Sequence, residues 1–483
     1  MDTRRRPNFL LIFADQWRSD CLGTLGHPVV ETPYLDHLAG EGVLFRHAYS
    51  ACPSCIAARA SLATGMTPSS HGRLGYRDCV PWRYEHTMMR CLRDADYQTM
   101  NAGKTHFYPQ RVALGFEENR LYDPQTLDGE RQSDYHDWLA RETGGAVQDT
   151  VDVMRSNSWV AAPWIHDERL HPNCWNTDAA VELLERRDPT RPFLLQVGYH
   201  RPHPPLDPPL RVYEMYANTP LPPVPVGDWA AGYDVPAHDP DAAVGRIPAV
   251  ALDRARRAYY AQITHLDQQI GRLLWCLGDM GLLDDTYIVF SADHGELLGD
   301  HHTFRKVRAL EGSAGVPFIV RPPRGFDDVR GRRHEAPVTH MDVMPTFLDA
   351  AGVRIPPSVE GSSLVPLLRG EQVAWREFVH GEHSVCYDDV SCQFVTNGKE
   401  KFIWDMLTGD ELFFDLREDP GETANRANDP AFAERVALWR DRLVGVLAAR
   451  PQDGLTNGSR LVPGRSTPAV RPELLEQPQV PNV

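Results

Sequence analysis

The chain has 483 residues, 42% of them hydrophobic and 24% charged, which excludes a fibrous or wholly disordered protein. Its 50 basic and 66 acidic residues give a formal net charge of −16. That excludes nucleic acid as a partner, and an anionic substrate would have to be drawn by a metal or a few focused cations. The length allows one large domain and a smaller one, and an odd total of 9 cysteines does not read as a disulfide framework. Cys52 and Cys55 make a C-x-x-C spacing, without the second pair a structural zinc site needs or the βαβ context of a redox pair.

From the N-terminus, the first apolar run is Phe9–Ala14, ending in Asp15 and Gln16. It is too short for a signal sequence or a membrane span, and no later run reaches bilayer length. The chain therefore reads as cytoplasmic, with no membrane partner. Three more runs follow. Phe193–Gly198 precedes Tyr199, His200 and His203, and Tyr287–Ala292 precedes Asp293, His294 and Gly295. Phe318–Val320 follows a loop rich in His, Lys and Glu. Unbroken hydrophobicity predicts parallel strands covered on both faces. Between the runs, Ile263, Leu266, Ile270, Leu273, Leu274 and Leu277 recur at helical spacing within a helix expected over 255–280. The segment from His340 reads as another helix start, with Asp342 as its cap and Pro345 in the first turn. The alternation predicts an α/β fold with a mostly parallel central sheet flanked by helices.

The proline-dense stretch 202–248 reads as a long surface loop. Past about residue 375, short strands are expected at Phe394–Thr396, Lys401–Trp404 and Glu411–Phe414, then a helix over 431–449. This is the pattern of a smaller C-terminal α+β subdomain. The expected division is a catalytic domain over 1–375, the subdomain over 376–450 and an extended tail over 451–483.

In open α/β sheets, ligands bind beyond the carboxyl ends of the strands. There Asp15, Gln16 and Asp293 offer oxygens and His294 an imidazole, a set that suits Ca²⁺, Mn²⁺ or Mg²⁺. Cys55 follows a Pro-Ser turn and opens a helix expected to run through Leu62, where the helix dipole favours a thiolate. Arg59, one turn on, shares its face. Spacing alone favours a buried free cysteine beside a surface arginine over a nucleophile.

The run Cys55-Ile-Ala57-Ala-Arg59, with Thr64-Gly65 in register, resembles the Cys-x-Pro-x-Arg signature of the type I sulfatases of the alkaline phosphatase superfamily. Ala57 stands where that signature has proline. Six further segments resemble family motifs in the family's order. They are the opening strand through Asp15-Gln16, Gly103-Lys104-Thr-His106, Arg201-Pro-His203-Pro-Pro, Ser291-Ala-Asp293-His294-Gly295-Glu, Gly299 through Lys306, and Phe414 through Glu422. The resemblance implies that Cys55, not Cys52, is converted to Cα-formylglycine by a formylglycine-generating enzyme. It implies one divalent cation on Asp15, Gln16, Asp293, His294 and residue 55, with Ca²⁺ first and Mn²⁺ as the alternative that the imidazole suits. Arg59 and Lys104 would position and stabilise the nucleophile. His106 would be the base, and His203 and Lys306 would contact the sulfate, one of them assisting the leaving group.

The implied reaction is hydrolysis of an aryl or sugar sulfate monoester. The alternative is a phosphonate monoester or phosphodiester hydrolase with the same nucleophile; Asp15-Gln16-Trp17-Arg18 and Gly299-Asp-His-His resemble that branch. His200, His301 and His302 fall off the family's core positions, and Asp300 and Glu311 read as structural. Loops 124–172 and 205–250 are expected to shape the leaving-group pocket, with Trp159, Trp164 and Trp175 as ring-stacking or packing residues. A homo-oligomer is compatible with the sequence.

Overall fold

A computed structural model describes residues 6–124, 133–149, 154, 157–326, 329–386 and 390–476. Parts of the 124–172 loop and the end of the tail lie outside the described residues. The strands are β1 (Asn8–Asp15), β2 (Val43–Phe45), β3 (Ala48–Tyr49), β4 (Gln98–Gly103), β5 (Glu118–Arg120), β6 (Phe193–Pro202) and β7 (Thr286–Ala292). They continue with β8 (Phe318–Arg321), β9 (Arg332–His334), β10 (Val338–Thr339), β11 (Val379–His383), β12 (Cys392–Thr396), β13 (Glu400–Asp405) and β14 (Glu411–Asp415). An eight-stranded sheet runs β5-β4-β6-β1-β7-β8-β2-β9. Its centre, β4-β6-β1-β7, is parallel, and β1 is buried along its whole length, as its apolar sequence requires.

One expected parallel strand is not parallel. β8 pairs antiparallel with β7, Phe318 lying opposite Ser291 at the end of β7. No crossover helix carries the chain back across the sheet between them; the 3-10 turn Asp300–His302 and the single turn Glu311–Ala314 intervene, so the chain re-enters from the end it left. β4 has no apolar run to announce it. Its polar side chains are satisfied within the sheet, with Asn101 Nδ2 on Asn119 Oδ1 at 2.8 Å and Gln196 Nε2 on Asn101 Oδ1 at 3.2 Å.

The long helix spans Ala249–Asp279, starting earlier than its apolar face predicts, and packs on the helix Pro172–Arg186 against the sheet. Asp342 does not cap as expected. Its carboxylate accepts from Thr339 N and Ser362 N and pairs with Arg376, while His340–Asp342 forms a 3-10 turn before the helix Val343–Ala350. The proline-dense loop holds the short helix Leu210–Met215 and the 3-10 segment Asp228–Tyr233. Trp164 and Trp175 are buried in the main core, and Trp159 packs against it, so all three are packing residues.

At the C-terminus, β11-β12-β13-β14 form an antiparallel sheet. Alternate side chains face opposite ways. Phe394, Ile403 and Phe414 pack on Tyr49, Leu297 and Leu310 of the larger part, whereas Val395, Phe402, Trp404 and Phe413 pack on Val436, Trp439 and Leu443. The latter three lie on the helix Ala433–Ala448. Beyond it, the chain returns to the larger part, where Leu74 N donates to Ala469 O. Among the described residues, no helix is long and apolar enough to cross a membrane.

Candidate active site

Four adjacent strands deliver the site from their carboxyl ends. Ala14 of β1 lies opposite Ala292 of β7, so Asp15 and Asp293 leave the sheet side by side. Asp15 pairs with Pro202 of β6, and His203 N donates to Asp15 O at 3.1 Å. β4 ends at Gly103, whose φ is +95° and where a Cβ would sit 2.0 Å from Gly198 O; only glycine allows the turn that delivers Lys104. Gln16 has a φ of 68°, and its N–H donates to Asp293 Oδ1 at 3.0 Å.

The helix Cys55–Thr64 points its N-terminus into this cluster, with every residue buried. Cys55 Sγ stands 3.1 Å from His294 Nε2, 3.4 Å from Lys306 Nζ and 3.6 Å from Asp15 Oδ1. His294 Nδ1 donates to Gly295 O at 2.9 Å, which leaves Nε2 as a lone pair facing Cys55 and both carboxylates. Ligand atoms of Asp15, Cys55, Asp293 and His294 all lie within 4.8 Å of one another. Gln16 Oε1 joins them through Lys306 Nζ at 2.9 Å. Two carboxylates, an amide oxygen and a neutral imidazole make a donor set that fits a divalent cation.

The buried cations are arranged around the carboxylates. Lys104 Nζ is 2.7 Å from Asp15 Oδ2. Arg59 bridges Asp15 and Asp293 at 3.2 and 3.0 Å and donates to Lys104 O at 3.1 Å. Arg59 thus orients the carboxylates instead of lying at the surface. Burial would raise the Asp15 carboxyl, but Lys104, Arg59 and Lys306 together hold it well below its usual value. Burial, then Lys306, keeps His203 neutral, and burial lowers His294 as well. His203 Nε2 is 3.0 Å from Lys306 Nζ. These cations form the local positive focus that an acidic protein needs to hold an anion.

His106 is brought in by β4 and meets a residue that no motif marked. Its Nε2 is 3.3 Å from Asp78 Oδ1, and its buried Nδ1 has no hydrogen-bond partner. Burial and Lys104 push His106 down, but Asp78, Cys55 and Asp123 outweigh them and raise it to about 9. Glu296, visible in sequence as the residue after Asp-His-Gly, accepts from the Gln16 amide. His200, set aside by sequence, is buried 3.4 Å from Lys104 Nζ with its ring against His203. His301 accepts from Gly227 N and stands apart from the cluster, and Asp300 pairs with Arg18. Glu311 pairs with Lys401. Cys52, one turn before the helix, is fully buried.

A parallel α/β sheet that gathers carboxylates, an imidazole and lysines around a helix-N-terminal cysteine defines a hydrolase of anionic esters built for a divalent cation. The sulfatase family matches residues 7–353, and the N-sulphoglucosamine sulphohydrolase C-terminal family matches 299–448. The chain belongs to the sulfatase family and is a sulfuric ester hydrolase. It is 42% identical to an arylsulfatase of Clostridium perfringens, over 95% of this chain and 98% of that one. It is 29% identical to the multifunctional alkaline phosphatase superfamily protein PehA of Trinickia caryophylli, over 93% and 99%. The phosphonate monoester hydrolase of Agrobacterium radiobacter superposes with a TM-score of 0.78 at 25% identity, covering 96% of this chain and all of that one.

Proposed function

We propose that the protein hydrolyses sulfate monoesters of aryl alcohols or sugars, with a formylglycine made from Cys55 as its nucleophile. The observation that carries this reading is the position of Cys55, at a buried helix N-terminus within 3.1–3.6 Å of His294, Lys306 and Asp15. Asp15, Gln16, Asp293 and His294 would hold the cation, Ca²⁺ by its preference for oxygen donors, with Mn²⁺ as the alternative for the imidazole. The cation, when bound, offsets charge on the ester oxygens and acidifies the nucleophile. Hydrated formylglycine supplies two hydroxyls on one carbon, one to attack sulfur and one to expel sulfate.

The remaining roles fall to the chain's own side chains. Arg59 and Lys104 fix the carboxylates around residue 55. His106, oriented by Asp78, takes the proton of the second hydroxyl in its neutral form, and because its pKa is raised to about 9 that form grows as pH rises toward 9. Lys306 offsets the charge on the sulfate oxygens, His203 contacts them, and one of the two assists the departing alcohol. The reading is tested by mass spectrometry of the Cys55 peptide from protein matured with a formylglycine-generating enzyme. An aldehyde trapped by hydroxylamine is expected, and an unmodified thiol in fully active protein would overturn it.

The likeness to the phosphonate monoester hydrolase favours a second reading, hydrolysis of phosphonate monoesters or phosphodiesters at the same site. These esters carry one negative charge, as sulfate monoesters do. Rates on an aryl sulfate and a phenylphosphonate ester, compared side by side, decide between them: sulfate is expected to be faster.

A further inference from the structure

A second cluster of metal-ligating side chains lies outside the catalytic set and shares no residue with it. Glu168 sits on the 3-10 turn Glu168–Leu170, Cys174 in the first turn of the helix Pro172–Arg186, and His265 in the middle of the helix Ala249–Asp279. His265 Nε2 is 3.4 Å from Glu168 Oε1 and 3.7 Å from Cys174 Sγ, and the three ligand atoms lie within 4.8 Å of one another. A tetrahedral zinc ion at its usual bond lengths separates a sulfur and a nitrogen ligand by about 3.6 Å and a nitrogen and an oxygen ligand by about 3.4 Å. The two measured distances match that geometry.

The hydrogen bonding around His265 points the same way. Gln269 Oε1 accepts from Arg272 Nη1 at 2.7 Å, so it is the Gln269 amide nitrogen that faces His265 Nε2, at 3.3 Å. A donor there requires a lone pair on Nε2. At the other ring nitrogen, Asn173 Nδ2 stands 3.4 Å from Nδ1, while Asn173 Oδ1 is buried without a partner. As placed, Nδ2 can donate to Nδ1; turned end for end, Oδ1 accepts from Nδ1–H and Nδ2 takes the partnerless position, so this end admits either tautomer. The Gln269 end selects the tautomer whose Nε2 lone pair faces the carboxylate oxygen of Glu168. The Nε2 lone pair, Glu168 Oε1 and the Cys174 sulfur face one another within 4.8 Å, and an ion held there would share Oε1 with Arg211 Nη2, which donates to it at 2.5 Å.

We propose that Glu168, Cys174 and His265 form a binding site for a divalent ion of the zinc class. Thiolate and carboxylate together neutralise a divalent charge, and sulfur plus imidazole select zinc or cobalt over calcium. Burial keeps the Cys174 thiol protonated until an ion displaces its proton, so each ion bound releases one proton. Arg211 holds Glu168 by both oxygens, Nε on Oε2 at 2.6 Å and Nη2 on Oε1 at 2.5 Å, and so offsets part of the carboxylate charge. The Glu168 side chain is 30% exposed, which opens a route from solvent and leaves the fourth position to water. The ion would tie the turn before one helix to the middle of another.

The site is tested by cobalt titration of the full-length Cys55→Ser protein, in which no catalytic thiol remains, with excess Ca²⁺ to fill the catalytic centre. One equivalent of Co²⁺ is expected to produce a thiolate-to-cobalt charge-transfer band and tetrahedral visible bands, both abolished by Zn²⁺. Adding Cys174→Ala is expected to abolish the charge-transfer band. Glu168→Gln, a change at a partly exposed side chain, is expected to weaken zinc binding by about tenfold or more. No charge-transfer band, or a band of equal strength in the Cys174→Ala protein, would overturn the proposal. If Cys174→Ala does not fold, unchanged zinc affinity in Glu168→Gln overturns it. No readout uses enzymatic activity, so the outcome stands apart from the sulfatase mechanism.

Discussion

Glu296 accepts a hydrogen bond from the side-chain amide of Gln16, and both residues are buried. Its other oxygen takes the N–H groups of Leu298 and Arg305, at 2.9 and 2.5 Å. One carboxylate therefore does two things. It fixes Gln16 with Nε2 turned away and Oε1 toward Lys306 and the cation ligands, and it closes the loop that presents Lys306. A Glu296→Ala variant is expected to bind its catalytic cation about 10–100-fold more weakly, with activity partly restored by excess cation. Titration of metal-stripped protein followed by thermal shift measures this, and a wild-type affinity would refute the positioning role.

What the sequence discloses of this fold depends on where hydrophobicity is unbroken. β1, β6 and β7 stand out because both faces are covered. β4 and β11 carry Gln, Asn, His and Glu and stay silent, since their polar groups are satisfied by long-range partners a sequence window does not see. The direction of β8 depends on the route of the chain at the sheet edge, which composition does not encode. In the site, Asp15, Asp293 and His294 were legible because each follows an apolar strand. Asp78 follows none; only folding brings it to His106.

That pair yields a kinetic prediction. Asp78 also accepts from Tyr76 Oη and leaves His106 Nδ1 as the free nitrogen. Asp78→Ala is expected to lower kcat by about 100-fold with KM changed little, because the base keeps its place in sequence but loses its orientation. Asp78→Asn, whose amide oxygen can still accept from Nε2–H, is expected to recover part of the loss. Equal kcat in Asp78→Ala and wild type would exclude the orienting role.

The C-terminal sheet is joined to the larger part by a buried charge cluster. Lys401 Nζ is 2.6 Å from Glu311 and 3.0 Å from Glu422, and Glu422 also accepts from Glu311 N. Burial pushes Glu422 up to about 7 against the pull of Lys401. Lys401→Met would strand two carboxylates together, and a loss of about 3–5 kcal/mol in unfolding free energy is expected. Adding Glu422→Gln should return part of it. Urea denaturation of the three proteins reads the effect; a loss under about 1 kcal/mol would show that the cluster does not hold the interface.

His71 lies beneath the nucleophile helix, with Nε2 3.0 Å from Ser61 Oγ and Nδ1 accepting from Arg73 N at 3.2 Å. Both nitrogens are committed in the neutral ring. Burial, then Arg73, pushes its pKa down to about 3, against roughly 6.5 for an unfolded chain. Between those values the unfolded chain binds a proton that the folded one does not, so stability is complete above the unfolded value and lost as pH falls toward the folded one. The slope is at most about 1.4 kcal/mol per pH unit for one such group. His71→Gln, which cannot titrate, is expected to be less stable than wild type at pH 7.5. Its deficit should shrink as pH drops to 5, because only wild type loses this contribution. Urea midpoints at several pH values measure the difference, and a deficit that stays constant with pH would mean that His71 is not a source of acid lability.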